Sequence, residues 1–480
     1  MPLTRYLDRQ LELDARSLAL GRIGLALALL YDLALRASDL TAHYTDAGVL
    51  PRADFSIFDW SFAWSLHGLS GTWGFEACLF ALSALAGLAL LVGWHSWAAT
   101  LACALLANSV QARNPFLHDG QDDLLRVVLV FCLFVPLGRA WSLDARRRVP
   151  LALEGETASA GHRVSGLRAV GLAGQLAIVY GSSVVGKLQS AWWTSGNGIV
   201  RALQLGRYET RAGQWLLGFP GLLHLASWGV MAVELLLPIL LLVPWRRTQL
   251  RLLAVVLGTA LHLSFGLFMR LSIFPLVSAA TWWLFLPAEV WRRVPAGEAP
   301  APGPRWPALA ALPLLCLATL YVVDTHRREP LSPPWLHHVT EALGLGQYWV
   351  VFAPRDAKNV TDGYFVAEAR LGDGRTVDLF AHDGPVTWRR PDVISTTFRN
   401  TRWRHFYANL VTEWPYGSAQ WKTTLEAREA TANWLCRDWA DRHPAGPAIQ
   451  RVSLSFVAHG MDPAAHIPEH RRLIAQTACR

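Results

Sequence analysis

The stretch "LRAVGLAGQLAIVYGSSVVGK", which runs from Leu167 to Lys187, decides the fold class. Its only charged residues are an arginine at the second position and the final lysine. An α-helix rises about 1.5 Å per residue, so roughly 20 apolar residues are needed to cross the hydrocarbon core of a bilayer. The stretch has that length and therefore predicts a transmembrane helix.

Similar apolar runs recur on both sides of this stretch, and 52% of the whole chain is hydrophobic. Such a content is above the usual balance of a soluble protein. With Leu167 to Lys187 the runs predict a polytopic α-helical membrane protein of about nine transmembrane helices. The other eight runs extend over Ser17 to Ala37, Trp73 to Gly93, Ser96 to Val110, Leu124 to Gly138, Leu222 to Val243, Leu250 to Phe268, Leu271 to Ala288 and Pro307 to Val323.

Arginines cluster in short polar segments beside these runs, and such clusters favour the cytoplasmic side. They begin at Arg5, Arg146, Arg246 and Arg292. Nine crossings with the amino terminus in the cytoplasm place all four clusters inside and the carboxyl terminus outside. The clusters explain the net charge of +8 better than nucleic-acid binding does. We therefore predict an integral membrane protein with its amino terminus in the cytoplasm, which has the lipid bilayer, and no nucleic acid, as a partner.

The composition changes near Asp324 to that of a soluble domain. This change predicts a transmembrane domain over 1–324 and an extracytoplasmic, periplasmic α+β domain over 325–480. Within the second domain, Tyr364 to Leu371 and Thr376 to Phe380 alternate around a Gly-Asp-Gly turn, which predicts a hairpin. A further strand is predicted near Val452 to Val457, and a helix over Ala419 to Arg442.

The six cysteines form no CxxC pair and no zinc-ligand spacing, so no metal site is predicted. Cys436 and Cys479 belong to the predicted soluble domain. They either form a disulfide in an oxidising compartment or remain free thiols, and the sequence leaves both alternatives open.

Ionisable residues inside a bilayer cost at least about 2.5 to 3.5 kcal/mol each at its centre, so each needs a partner, water or a function. Lys187 and His262 are predicted near the outer ends of the fifth and seventh spans. The turn between the third and fourth spans lies on the same side. Because these groups share one depth, they are able to converge on a single site. The candidates for binding or orienting a substrate there are Arg113, Asn114, Asp122, Asp123 and Trp192.

Each of these residues also has a structural interpretation. Lys187 could extend to the interface from a helix end, and His262 could be a packed, hydrogen-bonded residue. Arg113 could pair with Asp122 or Asp123 to close the turn.

Other residues in the spans favour structural roles. Asp32 and Glu234 are predicted to be structural polar residues that bridge helices. The neighbouring pair Trp192 and Trp193 is typical of an interfacial aromatic belt.

The functional interpretation of Lys187 depends on its removal from water. Burial disfavours the charged form of an amine, so a buried lysine can act as a base. Chemistry at this depth suits a lipid-soluble substrate such as a quinol. The sequence contains no nucleotide-binding loop, nucleophile elbow or HExxH motif that would indicate another reaction.

Several motifs resemble the horizontally transferred transmembrane (HTTM) domain that is shared with vitamin K-dependent γ-carboxylases. In chain order they are "YDLALRASDLTAHYTDAGVLPR", "RNPFLHDGQDDLLR", "PLGRAWSLDA" and "VVGKLQSAWW". The resemblance covers roughly the first 290 residues, and "DGYFVAEARLGDGRTVDL" is similar to a tail that some bacterial members carry.

The resemblance implies a reduced quinone, such as vitamin K hydroquinone, as cofactor and a peptide or protein as substrate. Lys187 matches the context of the lysine that deprotonates the quinol in the carboxylases, and His262 looks like the family histidine before "FPLV". The carboxylases have a histidine in the turn after the third span, where this chain has "HDGQDD".

The leading hypothesis is a quinol- and oxygen-dependent, carboxylase-like enzyme that acts at the outer membrane face, with Lys187 and His262 as catalytic residues. The alternative is a non-enzymatic membrane scaffold or lipid-binding protein. A transporter is a weaker third hypothesis, because the spans contain few charges and no evident broken helix.

Overall fold

A computed structural model describes residues 3–53, 64–147, 162–292, 307–355, 361–381, 383–413, 418–461 and 469–479. Helices of eight or more residues are numbered here. They are α1 (Leu3–Gln10), α2 (Ala15–Ala37), α3 (Trp73–Val92), α4 (Ser96–Arg113), α5 (Gly120–Cys132), α6 (Val170–Leu188), α7 (Pro220–Leu242), α8 (Arg247–Phe268), α9 (Phe274–Trp283), α10 (Pro307–Thr325), α11 (Pro334–Ala342), α12 (Thr401–Leu410) and α13 (Ala419–Arg442). The strands are β1 (Leu13–Asp14), β2 (Arg163–Val164), β3 (Thr361–Leu371), β4 (Thr376–Asp378), β5 (Gly384–Pro385), β6 (Ile449–Gly460) and β7 (His470–Ala478).

Shorter helical segments connect these elements. They are Leu40–Tyr44, Leu66–Gly68, Pro115–Leu117, Leu143–Arg147, Gly166–Ala169, Ala191–Thr194, Gly198–Gln204, Gly206–Tyr208, Arg211–Leu216, Ala288–Trp291 and Ile394–Thr396.

Within the part of the chain that the structure describes, five helices are long and apolar enough to cross a membrane. They are α2, α3, α7, α8 and α6 together with the turn before it, over Gly166–Leu188. These five correspond to five of the predicted spans and support an integral membrane protein.

The other four predicted spans are helices, but the count of nine is not confirmed. The helices α5 and α9 have 13 and 10 residues, which is less than the roughly 20 needed to cross the core. For α10, a shorter apolar helix is described over Ala310–Thr325. The helix α4 is long enough but polar, since it contains buried Asn108, Gln111 and Arg113.

Close packing joins the short helix α9 to the long helix α2. A Cβ atom at Gly24 of α2 would lie 2.7 Å from the Cβ of Ala280, and one at Gly21 would lie 2.3 Å from Leu284. These are approaches that only glycine permits. The segment α9 is buried against the spanning helices, which explains why so short a helix has an apolar sequence.

The described members of the predicted arginine clusters lie together at one end of the helices. Arg247 of α8 donates to the carbonyl oxygen of Arg9, Arg16 donates to the carbonyl of Trp291, and Arg16 and Arg146 line the same surface depression. The carboxyl-terminal region contacts the opposite end, where α2 ends and α5 begins. The two ends of the helical unit therefore differ in charge.

The carboxyl-terminal region contains an antiparallel sheet of strand order β5-β4-β3-β6-β7 with the helices α12 and α13. The predicted hairpin is present, with Arg370 opposite Thr376 and Gly374 at φ +89° in its turn. The predicted helix α13 and the strand within β6 are also present. A disulfide joins Cys436 of α13 to Cys479. Of the two alternatives that the sequence left open, a disulfide or free thiols, the structure therefore contains the disulfide.

The composition change near Asp324 does not separate two independent cores. Leu33, Val110 and Phe116 of the helical unit pack in one hydrophobic cluster with Ile394 and Phe406. Residues after α11 also return to the helical unit, where Gln347 accepts a 2.5 Å hydrogen bond from Gln175. Side chains from beyond Asp324 can therefore contribute to a site among the spans.

Candidate functional site

A cavity lies between α6, α7, α8 and α9 at the end of the helices that faces the carboxyl-terminal region. Its cavity volume is about 90 Å³. Its lining combines an apolar, largely aromatic wall with a few polar side chains. The residues that line it are Asp119, Gly120, Val179, Tyr180, Ser183, Lys187, Trp193, Ile199, Ala202, Tyr208, Glu234, His262, Phe265, Met269, Leu271, Phe274, Trp349, Val351 and Phe352.

Lys187 enters this cavity from the last turn of α6. Its Nζ donates to both carboxylate oxygens of Glu234 on α7, at 2.7 Å to Oε1 and 2.6 Å to Oε2. Ser183 lies one turn earlier on α6, so it shares this face of the helix. The Ser183 hydroxyl accepts from Nζ at 2.6 Å and donates to Glu234 at 3.1 Å.

The lysine and the glutamate form a buried, overall neutral ion pair. Each side chain has only 6% of its surface exposed. Nζ also lies 4.8 Å from the centre of the Trp193 ring, within the range of a cation–π interaction. Glu234 does bridge two helices, as predicted, but it also contacts the candidate base directly, which the sequence did not indicate.

His262 of α8 lines the same cavity, so the structure brings it and Lys187 to one site. Its Nε2 lies 2.8 Å from the Tyr180 hydroxyl, which accepts a 2.6 Å hydrogen bond from Trp282 Nε1. A tyrosine hydroxyl that accepts one bond retains its own hydrogen to donate. Donation to Nε2 places the proton of a neutral His262 on Nδ1. Nδ1 is buried and has no partner among the described residues.

Asp122 and Asp32 lie in a second buried cluster rather than in the cavity. Two arginines bind the two carboxylates. Arg36 lies 2.7 Å from Asp32 and 2.6 Å from Asp122, and Arg402 of α12 contacts the same two residues, at 2.6 Å from Asp122. Asp32 thus lies in a buried ion-pair cluster, and its partners include Arg402 of the carboxyl-terminal region.

The predicted ion pair between Arg113 and either Asp122 or Asp123 is not formed. Arg113 donates to the carbonyl oxygen of Leu50 at 3.1 Å. Asp123 instead pairs with Arg126 at 2.8 Å. The prediction failed because hydropathy and spacing within one turn do not show which distant arginines pack against it.

Asn114 and Trp192 are buried but are not among the residues that line the cavity. The Asn114 side chain donates to the carbonyl of His43 and accepts from the amide of Phe116, both at 3.2 Å. Trp192 and Trp193 are 5% and 2% exposed. The belt interpretation is therefore wrong for this pair, because belt residues face lipid headgroups.

The sequence did not indicate several cavity residues. Trp349 and Phe352 come from the region beyond Asp324, and Tyr208 comes from a connecting segment. Asp119 follows His118 in the quoted "HDGQDD" motif and lies 2.6 Å from Nε2 of His405 on α12. Burial alone would raise the pKa of Asp119, but His405 and Arg404 outweigh burial and hold the pKa well below its usual range.

Comparison with known protein families gives one match. The HTTM domain matches residues 11–291, which include Lys187, Glu234 and His262 and span more than half of the chain. Neither a curated protein nor a solved structure matches the chain. By its extent, the domain match shows that the chain belongs to the HTTM family, a membrane-protein family related to the vitamin K-dependent carboxylases.

Proposed function

We propose that the protein is a membrane enzyme that oxidises a reduced quinone with oxygen in the cavity around Lys187. The observation that carries the proposal is a buried amine–carboxylate pair at the polar end of an apolar, aromatic cavity. A mostly apolar pocket with a few convergent polar groups is typical of a small-molecule site. The family relationship supports a quinol rather than another lipid-soluble molecule.

The residues present fit a reduced quinone in polarity and in their aromatic surfaces. Phe265, Phe274 and Trp349 offer flat apolar surfaces for a ring, and two hydrogen-bonding groups have unused capacity. The Nδ1 atom of His262 is buried without a partner among the described residues. The carboxylate of Glu234 has lone pairs beyond those used by Lys187 and Ser183. A reduced quinone, when bound, would supply an acidic hydroxyl group and two electrons for oxygen.

In the ion pair, Lys187 is an ammonium group and Glu234 is a carboxylate. The carboxylate can still take up one proton. The pair can therefore accept the proton of a bound hydroxyl group, while the electron pair of the broken O–H bond stays on that oxygen. Lys187 then retains a positive charge beside the oxygen. The low dielectric of the cavity strengthens this attraction compared with water. His262, fixed by Tyr180, donates from Nδ1 to a second oxygen and orients the ring.

We also propose that the cavity opens toward the non-cytosolic side of a bacterial inner membrane. Two observations support this orientation. The described members of the arginine clusters lie at the end of the helices away from the carboxyl-terminal region, as the positive-inside rule favours for the cytoplasmic end. The Cys436–Cys479 disulfide in that region is typical of an oxidising compartment.

The experiment that tests the proposal is mass spectrometry of the small molecules that copurify with the protein. A bound quinone is expected in the wild type and in Lys422→Ala, a control whose side chain is 77% exposed on α13. Lys187→Ala should bind the quinone but fail to oxidise its reduced form. Phospholipid alone, with no quinol oxidation, would overturn the proposal in favour of a non-enzymatic lipid-binding protein.

A further inference from the structure

The segment from 331 to 348, which follows α10, exposes only apolar and aromatic residues. Four of them have large exposed fractions, at 60% for Leu331, 63% for Trp335, 41% for Val339 and 45% for Leu343. The remaining exposed residues of the segment are Pro333, Pro334 and Tyr348. A helix that faced water on this side would carry polar residues there.

The helix α11 directs His337 and Glu341 toward α10. His337 Nε2 lies 3.0 Å from Asp324 Oδ2, and Glu341 accepts a 2.9 Å hydrogen bond from the Tyr321 hydroxyl. The exposed residues Trp335, Val339 and Leu343 are spaced by four and therefore lie on one face. The helix is thus amphipathic, with its apolar face unpartnered in the described chain.

Contacts with α10 and α6 fix the depth of α11 relative to the membrane-spanning helices. Tyr321 lies in the last turn of α10, and its ring is 5.0 Å from that of His337. His326, directly after α10, forms a 2.7 Å hydrogen bond with Ser182 of the spanning helix α6. Ser182 precedes the end of α6 at Leu188 by less than two turns. The helix α11 therefore lies at the level where the spanning helices end.

We propose that α11 is an in-plane membrane helix. Its apolar face, formed by Leu331, Trp335, Val339 and Leu343, inserts at the boundary of headgroups and acyl chains in the leaflet beside the carboxyl-terminal region. Tryptophan is enriched at this boundary because its ring has an apolar body and a polar N–H group. The adjacent outward residues of α10, Leu320 and Val323, are also exposed and apolar, so the bilayer contact continues from α10 to α11.

The contact has a consequence for the cavity wall. Only a short segment separates α11 from Trp349 and Phe352, which line the cavity. Arg126 anchors this segment by donating to the carbonyl of Gly344 at 3.0 Å. The bilayer contact and the anchor thus both hold the end of this connection that is nearest to α11. The proposal concerns a membrane contact and stands whether or not the cavity binds a quinol.

Site-directed spin labelling in liposomes tests the depth of α11. Labels are attached at Trp335→Cys and, separately, Val339→Cys in a background with Cys78→Ser and Cys316→Ser, since Cys78 and Cys316 are the exposed free thiols of the described chain. Arg375→Cys is the control, because Arg375 lies in the β3–β4 turn with a 66% exposed side chain. The ratio of collisions with oxygen to collisions with a water-soluble nickel complex is expected to be severalfold higher at 335 and 339 than at 375.

The melting temperature of each labelled protein is first compared with that of the unlabelled protein. If the change at 335 prevents folding, the label at 339 reports the depth of α11. Nickel accessibility at 335 and 339 equal to that at 375 would overturn the proposal, because the face would then lie in water. Spin–spin broadening that disappears on dilution with unlabelled protein would also overturn it, since the face would then contact a second copy of the chain.

Discussion

Lys187 and Glu234 face each other across the α6–α7 interface, with Nζ 2.6 Å from Oε2, and both side chains are almost fully buried. A buried charge that loses its partner is strongly destabilising, whereas replacing both charges with apolar groups is often neutral. This difference allows the structural and chemical roles of the pair to be separated.

Glu234→Gln is expected to lower the free energy of unfolding by about 3 to 5 kcal/mol, because Lys187 is left without a buried counter-charge. The double variant Lys187→Met/Glu234→Leu should recover most of this stability and still fail to oxidise a quinol. Denaturation in detergent and an activity assay measure the two effects. If the double variant kept its activity, the pair would have a structural role only.

Arg402→Met tests the coupling between the carboxyl-terminal region and the helices. The change leaves Asp32 and Asp122 to share Arg36, with one negative charge in excess in a buried cluster. A loss of about 3 to 5 kcal/mol in unfolding free energy is expected. The control Arg375→Met removes an exposed pair with Asp373 and should leave the free energy of unfolding nearly unchanged. Equal effects of the two changes would contradict the cluster.

The sequence was sufficient to identify candidate residues within the spans. It did not show which residues, distant in sequence, these candidates contact. Lys187 was identified because it ends a long apolar run, and His262 because a histidine is unusual within a span. Glu234 could be recognised as a charge in a span, but its contact with Lys187 depends on how α6 packs on α7. Arg402 was missed because it lies in a region with the composition of a soluble domain.

The number of membrane spans was also not predictable from hydropathy alone. Hydropathy registers the burial of a segment and does not distinguish lipid from protein as the surroundings. The helix α9 is apolar because α2 packs on it through Gly21 and Gly24, although its 10 residues are too few to cross a membrane. The helices α7 and α8 have 23 and 22 residues, which is long enough to cross a membrane, and both were predicted as spans.

Tyr180→Phe is expected to impair the orientation of His262. The change removes the hydroxyl that Trp282 donates to and that contacts His262 Nε2. The cost to stability should be about 1 to 3 kcal/mol, since a buried donor loses its acceptor. If His262 orients the quinol, KM should rise more than kcat falls. The lipid-facing control Tyr31→Phe, at a residue that is 54% exposed, should leave both constants unchanged.

The disulfide gives a prediction that also tests the orientation. Denatured but unreduced protein from bacterial membranes should expose four of its six cysteines to an alkylating reagent. The variant Cys436→Ser/Cys479→Ser should lose about 3 to 4 kcal/mol of stability, as expected for removal of a cross-link that closes a loop of this size. Six reactive cysteines in the wild type would contradict an oxidising environment for this region.

Oxygen consumption by the purified protein in nanodiscs with a reduced naphthoquinone tests the central claim most directly. The account predicts quinol-dependent oxygen uptake by the wild type and by Lys422→Ala, and its loss in Lys187→Ala and in Lys187→Met/Glu234→Leu. Uptake at the same rate in Lys187→Ala, or no uptake by a wild type that retains bound quinone, would contradict the account.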